Sequence, residues 1–431
     1  MNDTAPSASP FARFFKFAAK IEPRETAAVV AAFFLFFFVL GSYFAVRPVR
    51  ETIGSMLGSD YVADLWLYTA IFSIAIIPIY GWLVGKVRRT VLLPSVYGVV
   101  AVILAVVGAL MSGEDVDKTV GAFFYVWISV LNLMLVSVFW SFLLEMFNRD
   151  QAKRLFGFIA AGGTFGALVG PFTTRMLAGS IGDSGILYVG AVGFVGAIIC
   201  QRILLKLWEP VSTPGAEAQE TKSRGVGGNP FAGITLVLKS PYLLGIALFV
   251  VLLSTANTIL YFEQLRIVAA TFPDRAARTE VFATIDVVVQ SLTVLTQFFL
   301  TGRIATKLGV RSLLTFVPIA MVLGFLMLAT FNVFAVFAVV FVARRWGEYA
   351  FIRPGREMLF SSLDTETKYK AKSFIDVPVY RAADYVGAQA KTAIDAVAAS
   401  PAASLIIGAV LAAGWAAVGW FLGRKHDESK A

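Results

Sequence analysis

The sequence predicts an all-α polytopic membrane protein, with twelve transmembrane helices in two six-helix halves. Three observations carry this. First, the 431 residues are 58% hydrophobic and only 15% charged, with a mean hydropathy of +0.76. Soluble domains lie closer to half apolar and a quarter charged. Second, the apolar residues fall in runs of about 20, enough to cross a bilayer as a helix and far longer than a barrel strand needs. Third, the longest polar interruption, 209–230, is rich in Pro, Gly, Ser and charge and leaves six runs on either side.

In chain order, residues 1–24 form a cytoplasmic tail. It opens on MNDTAPSASP, which has no basic region of the kind that starts a signal peptide. FARFFKFAAKI, residues 11–21, places Phe11, Phe14, Phe15 and Ala18 on one face and predicts a short interfacial helix. The first half, 25–208, holds runs at 26–46, 62–84, 91–112, 119–147, 153–178 and 186–208. Residues 209–240 read as a cytoplasmic linker. The second half, 241–423, holds runs at 241–268, 277–300, 311–329, 331–352, 372–398 and 401–423, and a second tail occupies 424–431.

An even number of spans puts both termini on one side, and Lys and Arg choose that side. Most of the 37 basic residues fall in the segments facing the termini, whereas Lys118, Arg175, Arg266, Arg275 and Arg278 fall opposite. Both termini are therefore expected in the cytoplasm, and a bacterial inner membrane is the expected location. The net charge of +9 follows largely from this bias and does not point to nucleic acid. With one cysteine, Cys200, and one histidine, His426 in the tail, neither a cysteine- or histidine-based metal site nor a histidine-based nucleophile system is available. No phosphate-binding G-x-x-x-x-G-K-[ST] loop is present either. No cofactor is expected, and the chain alone is not expected to be an enzyme.

The charged residues inside the runs carry the functional reading, because a charge at mid-bilayer costs roughly 2.5–3.5 kcal/mol by insertion scales. In AVRPVRETIG, residues 45–54, Arg47, Arg50 and Glu51 follow i, i+3, i+4 spacing and share a helical face. Two placements remain open: a helix that ends at Phe44 with the cluster at the outer mouth, or a continued helix with Arg47 and Arg50 as anion ligands. Arginine forks fit phosphate and carboxylate.

In the tenth run, thirteen residues precede Arg344. They span roughly 20 Å of a ~30 Å core, so Arg344 and Arg345 lie deep. Glu348, at i+4 and i+3 from them, is expected to neutralise one and leave the other free. The pattern of the first run returns here as RPGRE, with Arg353, Arg356 and Glu357 expected nearer the cytoplasmic end.

In the eleventh run, Asp376, Tyr380 and Asp384 fall on one face, Arg381 can pair with Asp384, and Lys391 with Asp395. Asp286 in the eighth run stands alone, with Gln290 one turn on, as a coupling candidate. In the middle of the fourth run, WISVLNLML, Asn132 is the only strong polar group. GGTFGALVG puts Gly162, Gly166 and Gly170 on one stripe and predicts close helix packing.

Internal symmetry is faint. GWLVGKVRR from Gly81 follows the second run and GRIATKLGVR from Gly302 follows the eighth, at the offset that also relates GALVG at Gly166 to GAQA at Gly387. Two related six-helix halves suit alternating access around a site at the half–half interface.

These features resemble the major facilitator superfamily, whose basic loop motif is similar to 81–90 and 302–311. Three stretches resemble the nucleotide exchange carriers, the ATP/ADP antiporters: SYFAVRPVRETI at 42–53, FWSFLLEMFNRDQAKRLFGFIAAGG at 139–163 and LDTETKYKAKSFIDV at 363–377. The third is the most specific. Where plastid and parasite members carry an acid in the fourth and seventh spans, this chain reads WISVLNLML and STANTILYFEQ. The resemblance implies that spans one, four, seven and ten line a cavity, so both Arg-Pro-x-Arg-Glu stretches would lie on cavity helices.

The expected function is secondary transport of a small organic anion by alternating access, with nucleotide exchange first and a proton-coupled transporter of another anionic metabolite or peptide second. A non-transporting sensor or assembly protein is the alternative of another class. Expected partners are the lipid bilayer and the anion, with the chain acting as a monomer. Candidate substrate contacts are Arg47, Arg50, Asn132, Arg344, Arg345, Tyr380 and Arg381. Candidate pairs or gates are Glu51, Glu348, Arg353, Arg356, Glu357, Asp376, Asp384 and Lys391, and Asp286 is the coupling candidate.

Overall fold

The computed structural model describes residues 21–113, 116–208, 232–398, 400 and 402–428. The expected interfacial helix at 11–21, apart from its last residue, and most of the expected linker lie outside the described residues. The protein is an all-α polytopic membrane protein. In chain order the helices are α1 (Thr26–Leu57), α2 (Ser59–Lys86), α3 (Arg89–Leu110), α4 (Lys118–Met146), α5 (Arg149–Leu207), α6 (Ala232–Lys239), α7 (Pro241–Thr271) and α8 (Arg275–Thr296). They continue with α9 (Gly302–Thr330), α10 (Phe334–Gly347), α11 (Arg353–Leu359), α12 (Thr365–Phe374), α13 (Tyr380–Val397) and α14 (Ala402–Glu428).

Among the described residues, nine helices are long and apolar enough to cross a membrane. One of them, α5, contains the fifth and sixth runs, joined at Gly182, whose φ of 65° lies in the left-handed region that glycine enters without strain. The tenth and eleventh runs are broken by π turns at Glu348–Ile352 and Ile375–Val379, and the eighth ends in a third at Gln297–Thr301. α6 takes up the end of the segment expected as linker.

The chain packs as two compact units. The first comprises described residues within Met1–Arg47, Pro78–Val116 and Leu131–Ser223, and the second those within Pro48–Ile77, Asp117–Val130 and Arg224–Ala431.

In the first unit, the early part of α1 lies flush on α5. A Cβ at Gly162, Gly166 or Gly170 would collide with the backbone carbonyls of Phe33, Phe37 and Gly41 respectively. This is the close packing that the glycine stripe predicts. Aromatic packing fills another face: Phe36 stacks on Phe139 at 4.0 Å, and Trp140 meets Phe36 edge-on at 5.5 Å. At the start of α1, Glu25 accepts both guanidinium arms of Arg154, at 3.1 and 2.9 Å, and the Gln151 amide at 3.1 Å.

In the second unit, α7, α9 and α14 form the middle of an apolar core that includes Phe249, Leu314, Phe325 and Trp415. Gly419 and Gly423 of α14 allow backbone approach to Leu314 and Arg311. Gly309 breaks α9 with a φ of 75°, and Asp427 of α14 accepts the freed Val310 and Arg311 amides at 2.9 and 3.1 Å. A smaller core joins Val62, Leu65 and Tyr125 to Phe262, Leu265 and Ala388.

Candidate functional site

The tenth span builds the site, and Pro354 shapes it. Proline has no N–H to give the carbonyl of Ala350 four residues earlier. That carbonyl instead accepts from the Thr301 hydroxyl at 2.9 Å. The helix widens into the π turn Glu348–Ile352, in which the Arg353 amide bonds the carbonyl of Glu348, five residues back. The π turn at the end of the eighth run, Gln297–Thr301, and the residue before it support this one: Gln297 donates to the Tyr349 carbonyl at 3.1 Å, and Trp346 donates to Thr296 at 2.8 Å.

The widened turn sets the electrostatics. In a regular α-helix residue i+5 lies well around the axis from residue i. Bonding from i to i+5 brings Arg353 back over Glu348. One carboxylate therefore serves two arginines, Arg344 a regular turn before it at 3.1 Å and Arg353 after it at 3.4 Å. Asn257 of α7 donates a further bond to Glu348 at 3.3 Å. Arg344 is 9% exposed, lies 5.0 Å from the Phe341 ring centre, and has no hydrogen-bond partner for its Nε among the described residues. Arg353 is more open, with its side chain 56% exposed and its guanidinium 4.4 Å from the Tyr349 ring centre.

Arg345 differs from the expectation that one of the adjacent arginines stays free. It pairs with Asp286 of α8, and both are buried. Asp286, expected to stand alone, is thus the counter-ion of Arg345. The reason is helical geometry: Arg344 points along its own helix to Glu348, while Arg345, about 100° further round, points at α8.

The eleventh span also departs from the expected single acidic face. Its π turn at Ile375–Val379 resets the helical register between Asp376 and Asp384. Asp376 faces Arg356 of α11 at 3.2 Å, whereas Asp384 accepts from Ser254 of α7 and lies 3.5 Å from Arg381. Tyr380 lies within electrostatic reach of Asp384, Glu348, Arg381 and Arg353. Glu357 accepts from Lys372 at 2.6 Å. Arg356 and Glu357 of the second Arg-Pro-x-Arg-Glu stretch are therefore committed to the eleventh span.

Lys391, 3% exposed, bridges Glu263 at 3.0 Å and Asp395. Glu263 is in turn held by Arg266 at 2.5 Å. This network joins α7 to α13 as a set of balanced charges.

In the first stretch, α1 continues through Pro48 to Leu57, which decides against a helix ending at Phe44. Arg50 pairs with Glu51, donates to Ser129 of α4 at 3.2 Å and lies 5.5 Å from the Tyr125 ring centre. Tyr125 exchanges a hydrogen bond with Tyr261 of α7 at 2.6 Å and receives one from Trp66 of α2 at 3.0 Å. Thr52 and Thr279 are hydrogen-bonded at 2.7 Å. Arg47 and Asn132 belong to the first unit, where Arg47 lies 6.0 Å from the Phe44 ring centre and Asn132 is half-buried.

The structure thus brings Arg344, Glu348, Arg353, Tyr380, Arg381 and Asp384 together within the second unit. Sequence reasoning missed Ser254 and Asn257. Their spacing with Tyr261, i, i+3 and i+7 in STANTILYFEQ, is the signal that could have found them.

No protein-family model matches the chain, and no curated protein matches it. Solved structures do. The chain is similar to the nucleoside transporter NupG, at 15% identity over 94% of this chain and 99% of that one, with a TM-score of 0.63. It is similar to the POT family transporter PepTSo, at 12% identity over 95% and 99%, TM-score 0.64. A D-xylose–proton symporter matches at 14% identity over 92% and 97%, TM-score 0.62. At these identities the likeness shows the fold alone, which this chain shares with those solved membrane transporters along nearly its whole length.

Proposed function

We propose that the chain is a secondary active transporter that moves a small organic anion by alternating access, with Arg344 and Arg353 as the anion's ligands. The observation that carries this reading is the sharing of Glu348 by two arginines. Formal charges there leave one positive charge uncompensated beside the largely buried Glu348 and Arg344, which a bound anion would neutralise. The fold supports the reading, because its solved neighbours include a nucleoside transporter, a POT family transporter and a D-xylose–proton symporter.

In this reading the two halves, 25–208 and 241–423, rock about a shared site, both termini are cytoplasmic, the membrane is a bacterial inner membrane, and the chain works as a monomer. Asp384, clamped by Ser254 and Arg381, and Asp286, beneath Arg345, are the acids placed to respond when the arginines change partners.

Two finer readings follow: nucleotide exchange, which the resemblance of 42–53, 139–163 and 363–377 to nucleotide exchange carriers supports, and proton-coupled transport of another anionic metabolite or peptide, which the charge balance of the cluster supports. The test is uptake into proteoliposomes of labelled ATP, and separately of labelled singly charged carboxylates. Vesicles would be empty or preloaded with the unlabelled compound, with and without a pH gradient. Uptake confined to preloaded vesicles supports exchange, and uptake driven by the pH gradient supports proton coupling. Absence of uptake for every anion, with the protein folded and inserted, would refute the transporter reading.

A further inference from the structure

We infer that the anionic head held by the second unit carries a single negative charge, as in a carboxylate or a singly charged phosphate ester, and not a polyphosphate chain. This rests on the proposed anion site and narrows its substrate class. The cluster contains three arginines, Arg344, Arg353 and Arg381, and two carboxylates, Glu348 and Asp384. The cations nearest to it are already matched one to one: Arg345 by Asp286 and Arg356 by Asp376. One positive charge is left, and it sits where Glu348 is divided between Arg344 and Arg353.

Charge matching in such a place is demanding. Glu348 and Arg344 are largely withdrawn from solvent, with side chains 13% and 11% exposed. Charges interact there more strongly than in water, and each uncompensated one adds a desolvation cost. A single negative charge brings the cluster to neutrality. A triply or quadruply charged polyphosphate would leave two or three negative charges facing Glu348 and Asp384, with no described cation of the cluster left to meet them. Donor capacity for an oxyanion is present as well: the guanidinium of Arg353 is open, and the Nε of Arg344 has no hydrogen-bond partner among the described residues.

The test is a charge series on fixed skeletons, titrated by calorimetry into the purified full-length protein. One series is butyrate, succinate and tricarballylate, and the other is the methyl ester of adenosine monophosphate, then AMP, ADP and ATP. The singly charged member of at least one series should bind the wild type about tenfold or more tightly than the triply charged member. Glu348→Gln, which raises the surplus by one, should move the preference to the doubly charged member. Arg353→Gln, which removes the surplus, should weaken the singly charged member about tenfold or more.

If in neither series the wild type binds the singly charged member about tenfold more tightly than the triply charged one, the single-charge inference is overturned and the anion site stands. An unchanged preference in Glu348→Gln would do the same. Failure of every member of both series to bind the folded wild type would overturn the anion site itself.

Discussion

Arg345 of α10 is ion-paired with Asp286 of α8, both buried, while its neighbour Arg344 shares Glu348 with Arg353. Two adjacent arginines therefore have different duties. Arg345 ties two helices together with a balanced pair, and Arg344 stands in a cluster with a surplus charge.

Removing one member of a buried pair strands the other. Arg345→Gln or Asp286→Asn alone should destabilise the protein by about 3–5 kcal/mol. The double variant should recover much of that loss, because no charge is left buried without a partner. Thermal melts in detergent of the two single variants and the double check this. Additive losses would mean that the pair is not coupled.

The glycine stripe makes a sharper claim about packing. Gly162→Ala drives a methyl group into the Phe33 carbonyl, where neither backbone has a cheap way to move, and should cost about 1–3 kcal/mol. Gly157→Ala, in open space on the same helix, should be neutral or stabilise by up to about 1 kcal/mol through helix propensity. A lowered melting temperature for Gly162→Ala and no lowering for Gly157→Ala are expected.

The contact of Thr52 with Thr279 tests alternating access. Their hydroxyls are 2.7 Å apart, so cysteines at both positions, in a Cys200→Ser background, lie within reach of a disulfide. Oxidation should arrest transport and reduction should restore it, read as uptake before and after dithiothreitol. Full uptake by the cross-linked protein would show that this contact need not open.

At the start of α1, burial alone would raise the Glu25 carboxyl, but its bonds to Arg154, the Glu22 backbone and Gln151 outweigh that and hold it below the ordinary 4.5. A depressed folded-state value means that the stabilisation is present above the unfolded value and is lost as pH falls through the folded one. The gap in melting temperature between wild type and Glu25→Gln should therefore be constant near neutrality and shrink below about pH 4.5. A gap that widens with acid would reverse the sign of this account.

The spans were legible because apolar run length is a direct physical requirement of the bilayer. Their interruptions were less so. Pro354 marks a place where a backbone bond must be missing, yet whether the helix kinks, ends or widens depends on what reaches the orphaned carbonyl. Here that is Thr301, far away in sequence. The pairing of Arg345 with Asp286 was hidden for the same reason: periodicity reports which residues share a face of one helix and says nothing of which helix that face meets. The first helix runs on past Arg50, whose charge Glu51 balances and whose guanidinium donates to Ser129, and only the first of these partners is visible locally. Ser254 and Asn257 were readable as a polar stripe, although their partners Asp384 and Glu348 were not.

In the proposed transporter, Arg344 and Arg353 hold the transported anion. This role is tested most directly by uptake in proteoliposomes, using whichever labelled anion the wild type accumulates. Wild type is compared with Arg344→Gln and Arg353→Gln, normalised to folded, inserted protein. The account predicts that each variant loses about tenfold or more in uptake at low substrate concentration while melting near the wild-type temperature. Wild-type uptake by both variants would contradict it.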